Sequence, residues 1–356
     1  MIKTPMTELF DCKYPIMLAG MNWITTPKLV AAVCNAGGLG IFATARCTPE
    51  EARKNIRQIR EMTDKPFGIN QILNMGPIAK ETIEVAVEEK VPVINYTLGK
   101  PWFIDKVHAY GGKVLGTTAT VKHAIKAQEL GCDAIVITGL EAAAHGEEAT
   151  TLVLLPIVAS KVKIPIISAG GYQNGCGLIA ALALGASGIS MGTRFAMTEE
   201  SPVHHNFKQY CLKASENDTL RSNRFDGLPS RMLKTPVTER LAKSSFPLVE
   251  AMRGAIMVKQ MLNLSWGQFV GMSIKMVSAE ESHPLWVQAR QAASSYRAIK
   301  GIYDGDMKEG IFIAGQVIGA CDDLPPVKVL VDRIMLEAED FIKKEYALLT
   351  ETFASR

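Results

Sequence analysis

Eight times between Pro15 and Gly192, a short apolar, β-branched run gives way to a small-residue turn and then to a helical stretch. The runs are PIMLA (Pro15 to Ala19), LGIFA (Leu39 to Ala43), FGIN (Phe67 to Asn70), PVINY (Pro92 to Tyr96), KVLG (Lys113 to Gly116), AIVIT (Ala134 to Thr138), PIISA (Pro165 to Ala169) and GISMG (Gly188 to Gly192). They are mostly continuous rather than alternating, as strands buried on both faces are. Amphipathic segments such as PEEARKNIRQIR (Pro49 to Arg60) lie between them. Eight βα units over roughly 200 residues predict an α/β chain closed into a (β/α)8 TIM barrel. The alternative is an open doubly wound sheet. That fold usually places G-x-G-x-x-G near its first strand, and GGLG (Gly37 to Gly40) does not fit.

From Ile164 to Thr193 the chain carries no charge. This is long enough to cross a bilayer, but seven glycines interrupt it and Gln173-Asn174-Gly175 makes a turn in its middle. A spanning helix needs about 20 continuous apolar residues, so the stretch reads as two strands with a helix between them. After Phe195 the character changes. Residues 200–304 are richer in Lys, Arg, Met and Ser and read as a mostly helical lid inserted after the eighth strand, with SFPLVEAMRGAIMVKQM (Ser245 to Met261) as an example of the pattern. The expected organisation is a barrel over 1–199, the lid over 200–304, and a segment over 305–356 that returns to the barrel.

Apolar residues make up 47% of the 356 positions and charged ones 21%, enough to bury a sizeable core. The net charge of +3, with both signs interspersed, points to no nucleic-acid surface. MIKTPMTELF lacks the apolar core of a signal peptide, and seven scattered cysteines without C-x-x-C spacing suit reduced thiols. They do not suggest a metal site. A cytoplasmic enzyme acting on a small molecule is the expectation, with no membrane partner. A homodimer through the lid helices is one option for assembly.

In such barrels the chemistry lies at the C-terminal ends of the strands, and a phosphate often binds between the loops after strands seven and eight. Those loops are AGGY (Ala169 to Tyr172) and MGTRF (Met191 to Phe195). Gly170, Gly171 and Gly192 let backbone N–H groups approach an anion closely, with Ala169 opening the first loop among the expected binding residues, and Thr193 adds a hydroxyl. The alternative is that the glycines only make tight turns. The phosphate can belong to a substrate or to a cofactor. His145, in GLEAAAHG after strand six, suits proton transfer near neutral pH, or else only a structural hydrogen bond. His283, before Pro284, is a second histidine for the substrate side. Glu141 is expected to cap its loop or to pair with a lid arginine, and Arg194 to make a structural ion pair. Met21, Asn22 and Trp23 can pack on a flat ring. Asn70 and Gln71 suit hydrogen bonding to a heterocycle, as does Thr117 in Gly116-Thr117-Thr118.

PIMLAGM (Pro15 to Met21), NAGGLG (Asn35 to Gly40), FGIN, EAAAHG (Glu141 to Gly146), ISAGG (Ile167 to Gly171), MGTRF, LPSRMLK (Leu228 to Lys234) and AGQVIG (Ala314 to Gly319) together resemble the nitronate monooxygenase family. Flavin-dependent enoyl-ACP reductases and NADH:quinone reductases share that fold family. The resemblance implies FMN, with its phosphate at Gly170, Gly171, Gly192 and Thr193, and with Met21, Asn70 and Thr117 around the isoalloxazine ring. It implies His145 as the catalytic histidine. The leading expectation is oxidation of alkyl nitronates with O2. The alternative is a reductase taking electrons from NADH or NADPH and acting on quinones or enoyl thioesters. A barrel isomerase or lyase binding a phosphorylated substrate is the reading without flavin.

Overall fold

The computed structural model describes residues 2–243, 285–354 and the single positions 256, 259, 265 and 267. The helix expected over Ser245 to Met261 and the side chain of His283 fall outside the described residues, positions 256 and 259 apart. The strands are β1 (Ile16–Leu18), β2 (Gly40–Ala43), β3 (Phe67–Ile72), β4 (Val93–Thr97), β5 (Lys113–Thr118), β6 (Ala134–Thr138), β7 (Ala144–His145), β8 (Ile166–Ala169), β9 (Gly188–Met191), β10 (Thr219–Ser222) and β11 (Ser230–Leu233).

Eight of them form a parallel sheet in the order β1-β9-β8-β6-β5-β4-β3-β2. The ends of that order also meet. Leu39 N–H donates to the Ile16 carbonyl and Leu18 N–H to the Leu39 carbonyl, both at 2.9 Å. The sheet is therefore a (β/α)8 TIM barrel. Its strands are buried along nearly their whole length because helices cover the outside and side chains fill the inside. The uncharged stretch resolves into β8, a helix at Gly175–Ala183 capped by Asn174, and β9. Among the described residues, no helix is long and apolar enough to cross a membrane.

Inside the barrel, Met17, Leu39, Ile41, Val93, Leu115, Ala134, Val136 and Ile167 make one core cluster, joined by Met6 and Phe10. Those last two lie on or at the end of a short helix, Pro5–Phe10, started by a Thr4–Thr7 capping box. A Cβ at Gly188, the first residue of β9, would meet the Met6 sulfur. The N-terminal segment thus plugs the end of the barrel where the strands begin. The C-terminal helix Val327–Ala354 packs between Gly175–Ala183 and Pro27–Asn35, where the helix after the eighth strand would otherwise sit.

Two compact units emerge. The first holds the barrel and the C-terminal helix, over 2–142, 147–201 and 323–354. The second holds 143–146 and the described part of 202–322. The second unit is not purely helical as its sequence suggests: it contains an antiparallel sheet in the order β10-β11-β7. TLRS and SRML place arginines at inner positions of the strands, which hides them from an apolar-run reading. Their pairing comes from residues far apart in the chain. The segment expected to return at 305 stays with this unit up to 322. Ile311 N–H donates to the Arg297 carbonyl, and the Phe312 carbonyl accepts from Leu233 N–H at 2.8 Å.

Candidate active site

In the barrel unit, the expected phosphate residues follow β8 and β9. Gly170 and Gly171 have φ of +118° and +81°, conformations that favour glycine. A Cβ at Gly170 would lie 2.6 Å from Thr151 Oγ1. At Gly171 the corresponding space is nearly open, with Glu141 Cβ at 4.0 Å. Among the described residues, the amides of Gly170, Gly171 and Gly192 have no intramolecular acceptor. Three backbone donors at two neighbouring strand ends are thus left for an anion. Thr193 follows, buried, at the start of the helical turn Thr193–Ala196. A Cβ on Gly192 would sit 3.3 Å from the Met21 sulfur, so the loop after β1 comes against this cradle. Asn22 and Trp23 lie in a turn closed by Ile24 N–H on the Met21 carbonyl, 3.1 Å.

Along the middle strands runs a buried polar chain. Asn70 Nδ2 donates to Asn95 Oδ1 at 2.6 Å, and Asn95 Nδ2 donates to Thr117 Oγ1 at 2.9 Å and to the Leu115 carbonyl at 2.8 Å. Asn70 and Asn95 face each other in register across β3 and β4. Gly20 makes room for this chain, since a Cβ there would lie 2.5 Å from Asn70 Cβ. Beside it, Gln71 Oε1 accepts from Thr44 Oγ1 at 2.7 Å, while its buried Nε2 has no partner among the described residues. An unmet buried donor costs about 1–3 kcal/mol, so a ligand carbonyl or ring nitrogen at this position would recover that loss.

Glu141 takes the capping role. It accepts from Thr151 N–H at 2.9 Å and from Thr151 Oγ1 at 2.8 Å, holding the start of helix Thr151–Ala159. Arg194 makes the expected ion pair, with Asp323, and also donates to the Asp323 carbonyl.

His145 belongs to the second unit. It sits on β7, which pairs with β11 so that His145 lies opposite Ser230. Its Nε2 is 2.9 Å from Asp226 Oδ2. Asp226 is itself set in the loop between β10 and β11, where its Oδ1 accepts from Leu228 N–H. Arg221 Nη2 donates to the Gly146 carbonyl at 2.7 Å and steadies the same segment. A carboxylate on one imidazole nitrogen fixes the ring and leaves Nδ1 to exchange protons. Sequence reading missed Asp226, which is 81 residues from His145, and Asn95, an ordinary strand residue in PVINY. Neither carries a local signal: one depends on a hairpin folding back, the other on strand register.

A family model described as nitronate monooxygenase matches residues 3–337. The chain belongs to the nitronate monooxygenase family. It is an oxidoreductase. A 5-hydroxy-7a-methyl-1-oxo-octahydro-1H-indene-4-carboxyl-CoA dehydrogenase of Rhodococcus jostii (strain RHA1) is 38% identical over 343 residues, which are 95% of this chain and 96% of that protein. A probable nitronate monooxygenase of Staphylococcus saprophyticus is 30% identical over 287 residues, 67% of this chain and 81% of that protein. Among solved structures, FabK from Thermotoga maritima superposes with a TM-score of 0.79 at 33% identity, covering 98% of this chain and all of that one. This chain is thus similar along most of its length to proteins of different printed names.

Proposed function

We propose that this protein is an FMN-dependent oxidoreductase acting on the Cα–Cβ bond of an acyl-CoA thioester. The observation that carries the reading is the His145–Asp226 pair, taken with 38% identity along 95% of the chain to a carboxyl-CoA dehydrogenase. An alkyl nitronate arrives already deprotonated at carbon and gives a base nothing to remove. A saturated acyl thioester must lose a proton from Cα as hydrogen leaves Cβ with its electron pair, and a carboxylate-oriented histidine suits that task.

The barrel residues fit the cofactor. The free amides of Gly170, Gly171 and Gly192 suit its phosphate, and Asn70, Thr117 and the unpaired Gln71 Nε2 suit the polar edge of its ring. Met21 lies beside Gly192, where an apolar side chain can pack on the ring. The flavin supplies the two-electron acceptor or donor. In this reading His145 Nδ1 takes the Cα proton in the direction of desaturation and returns it in the direction of reduction. Asp226 holds the ring and stabilises its charge. In the direction of reduction NADH or NADPH supplies the two electrons, and in the direction of desaturation an oxidised nicotinamide, NAD+ or NADP+, takes them up.

Oxidation of nitronates with O2 is the second reading, favoured by the likeness to probable nitronate monooxygenases. Anaerobic stopped-flow on the yellow protein separates the two. The thioester reading expects bleaching by a cyclic saturated carboxyl-CoA, or bleaching by NADH or NADPH and recovery by an enoyl-CoA. Fast bleaching by propionate 3-nitronate, with all thioesters and nicotinamides inert, would overturn it. His145→Ala is expected to retain the colour and lose turnover about a hundredfold or more.

A further inference from the structure

Ser230 has a buried hydroxyl with nothing to do. Its residue is 2% exposed, and among the described residues its Oγ has no hydrogen-bond partner. It lies directly opposite His145 in the β11–β7 ladder. Residues directly opposite in an antiparallel pair project from the same face, with Cβ atoms about 4.5–5.5 Å apart. A serine hydroxyl at that spacing is near enough for an imidazole on the facing strand to be a candidate partner. The hairpin therefore approaches His145 at two places: its loop supplies Asp226 to Nε2, and its second strand sets Ser230 opposite it in register.

We propose that Ser230 is a positioning residue for His145, its hydroxyl accepting the Nδ1–H once the ring carries a second proton. A neutral imidazole bonded to Asp226 through Nε2–H needs no further acceptor. The imidazolium has two N–H donors, and a charge-assisted bond to a hydroxyl is stronger than a neutral one. The two arginines of the hairpin strands have other engagements. Arg221, on β10, is bonded to the Gly146 carbonyl. Arg231, the next residue on β11, lies on the opposite face from Ser230 and donates to Thr219 Oγ1. The catalytic value of the contact rests on the proton-transfer role proposed above, whereas the contact itself does not.

The test is nitrogen-15 NMR of the labelled holoprotein in cold, mildly acidic buffer, with the His145 signals assigned from a His145→Gln variant. In the native protein both ring N–H protons are expected to be slow enough in exchange to observe. In Ser230→Ala the Nδ1–H signal is lost to exchange while the Nε2–H signal held by Asp226 remains, and Ser230→Thr restores both. Ser230→Cys keeps the volume but offers a poor acceptor, and it too loses the Nδ1–H signal. Because the hydroxyl is unpartnered, Ser230→Ala is expected to fold with an unchanged or higher melting midpoint. An unchanged Nδ1–H signal in the alanine and cysteine variants would overturn the assignment. No substrate enters this measurement, so its failure is separate from failure of the thioester reading.

Discussion

Gly192 matters as a residue because of what its missing side chain allows. Among the described residues its amide has no acceptor, and a Cβ there would press within 3.3 Å of the Met21 sulfur. Gly192→Val is expected to keep the barrel, since no positive φ is required at this position. It should weaken FMN retention about tenfold or more, about 1.4 kcal/mol, as branched carbons fill the approach to the amide. Equilibrium dialysis against free FMN reads the effect, and native affinity in this variant would remove the cradle from the phosphate role. The neighbouring glycines are poorer probes. Alanine at Gly170 or Gly171 would be strained by the backbone itself, confounding folding with binding. His145 was legible as a residue type in a loop after a strand. Its orientation by Asp226 was not, because no local spacing links two positions joined only through β11.

At the scale of elements, the barrel wall depends on one close approach. A Cβ on Gly175 would lie 2.2 Å from the Ala338 nitrogen and 2.5 Å from the Ile334 carbonyl oxygen, both backbone atoms of the C-terminal helix. Glu337 reinforces the contact by accepting from Gly175 N–H at 2.9 Å. Gly175→Ala must therefore push the two helices apart, at an expected cost of about 2 kcal/mol. Urea unfolding should show a lower midpoint with little change in slope; an unchanged midpoint would mean the helices separate freely. Barrel strands were readable because burial on both faces leaves uninterrupted apolar runs. β10 and β11 were not, because each is four residues long and crossed by arginine. Their existence depends on pairing with each other and with the two residues of β7.

For the molecule as a whole, closing the barrel unit joins distant parts of the chain through Asp323. Its carboxylate pairs with Arg194, after β9, and with Arg333 of the C-terminal helix, at 2.7 Å. Burial opposes its ionisation, but the two guanidiniums outweigh that and hold the Asp323 carboxyl below the usual carboxylate range. A carboxyl depressed in the folded state adds stability above its unfolded value, near pH 4, and that stability fades as pH falls through the folded value. Asp323→Ala should cost about 3 kcal/mol at neutral pH, chiefly because Arg194, 2% exposed, is left buried without its counter-charge. The pH-dependent share is smaller, under about 1 kcal/mol, since the carboxylate side chain is 36% exposed. Melting curves of native and variant protein should draw closer between pH 6 and pH 3; a gap that widens on acidification would contradict this sign. The sequence by itself determined the eight strands, their parallel closure and the glycine loops at the expected strand ends, because those properties are written in local hydrophobic pattern and backbone freedom. Only the tertiary structure decided that Asn95 bridges Asn70 to Thr117, that Asp226 and Ser230 flank His145, and that the last helix completes the barrel wall. These depend on register and long-range packing, which bring together residues whose separation along the chain carries no period.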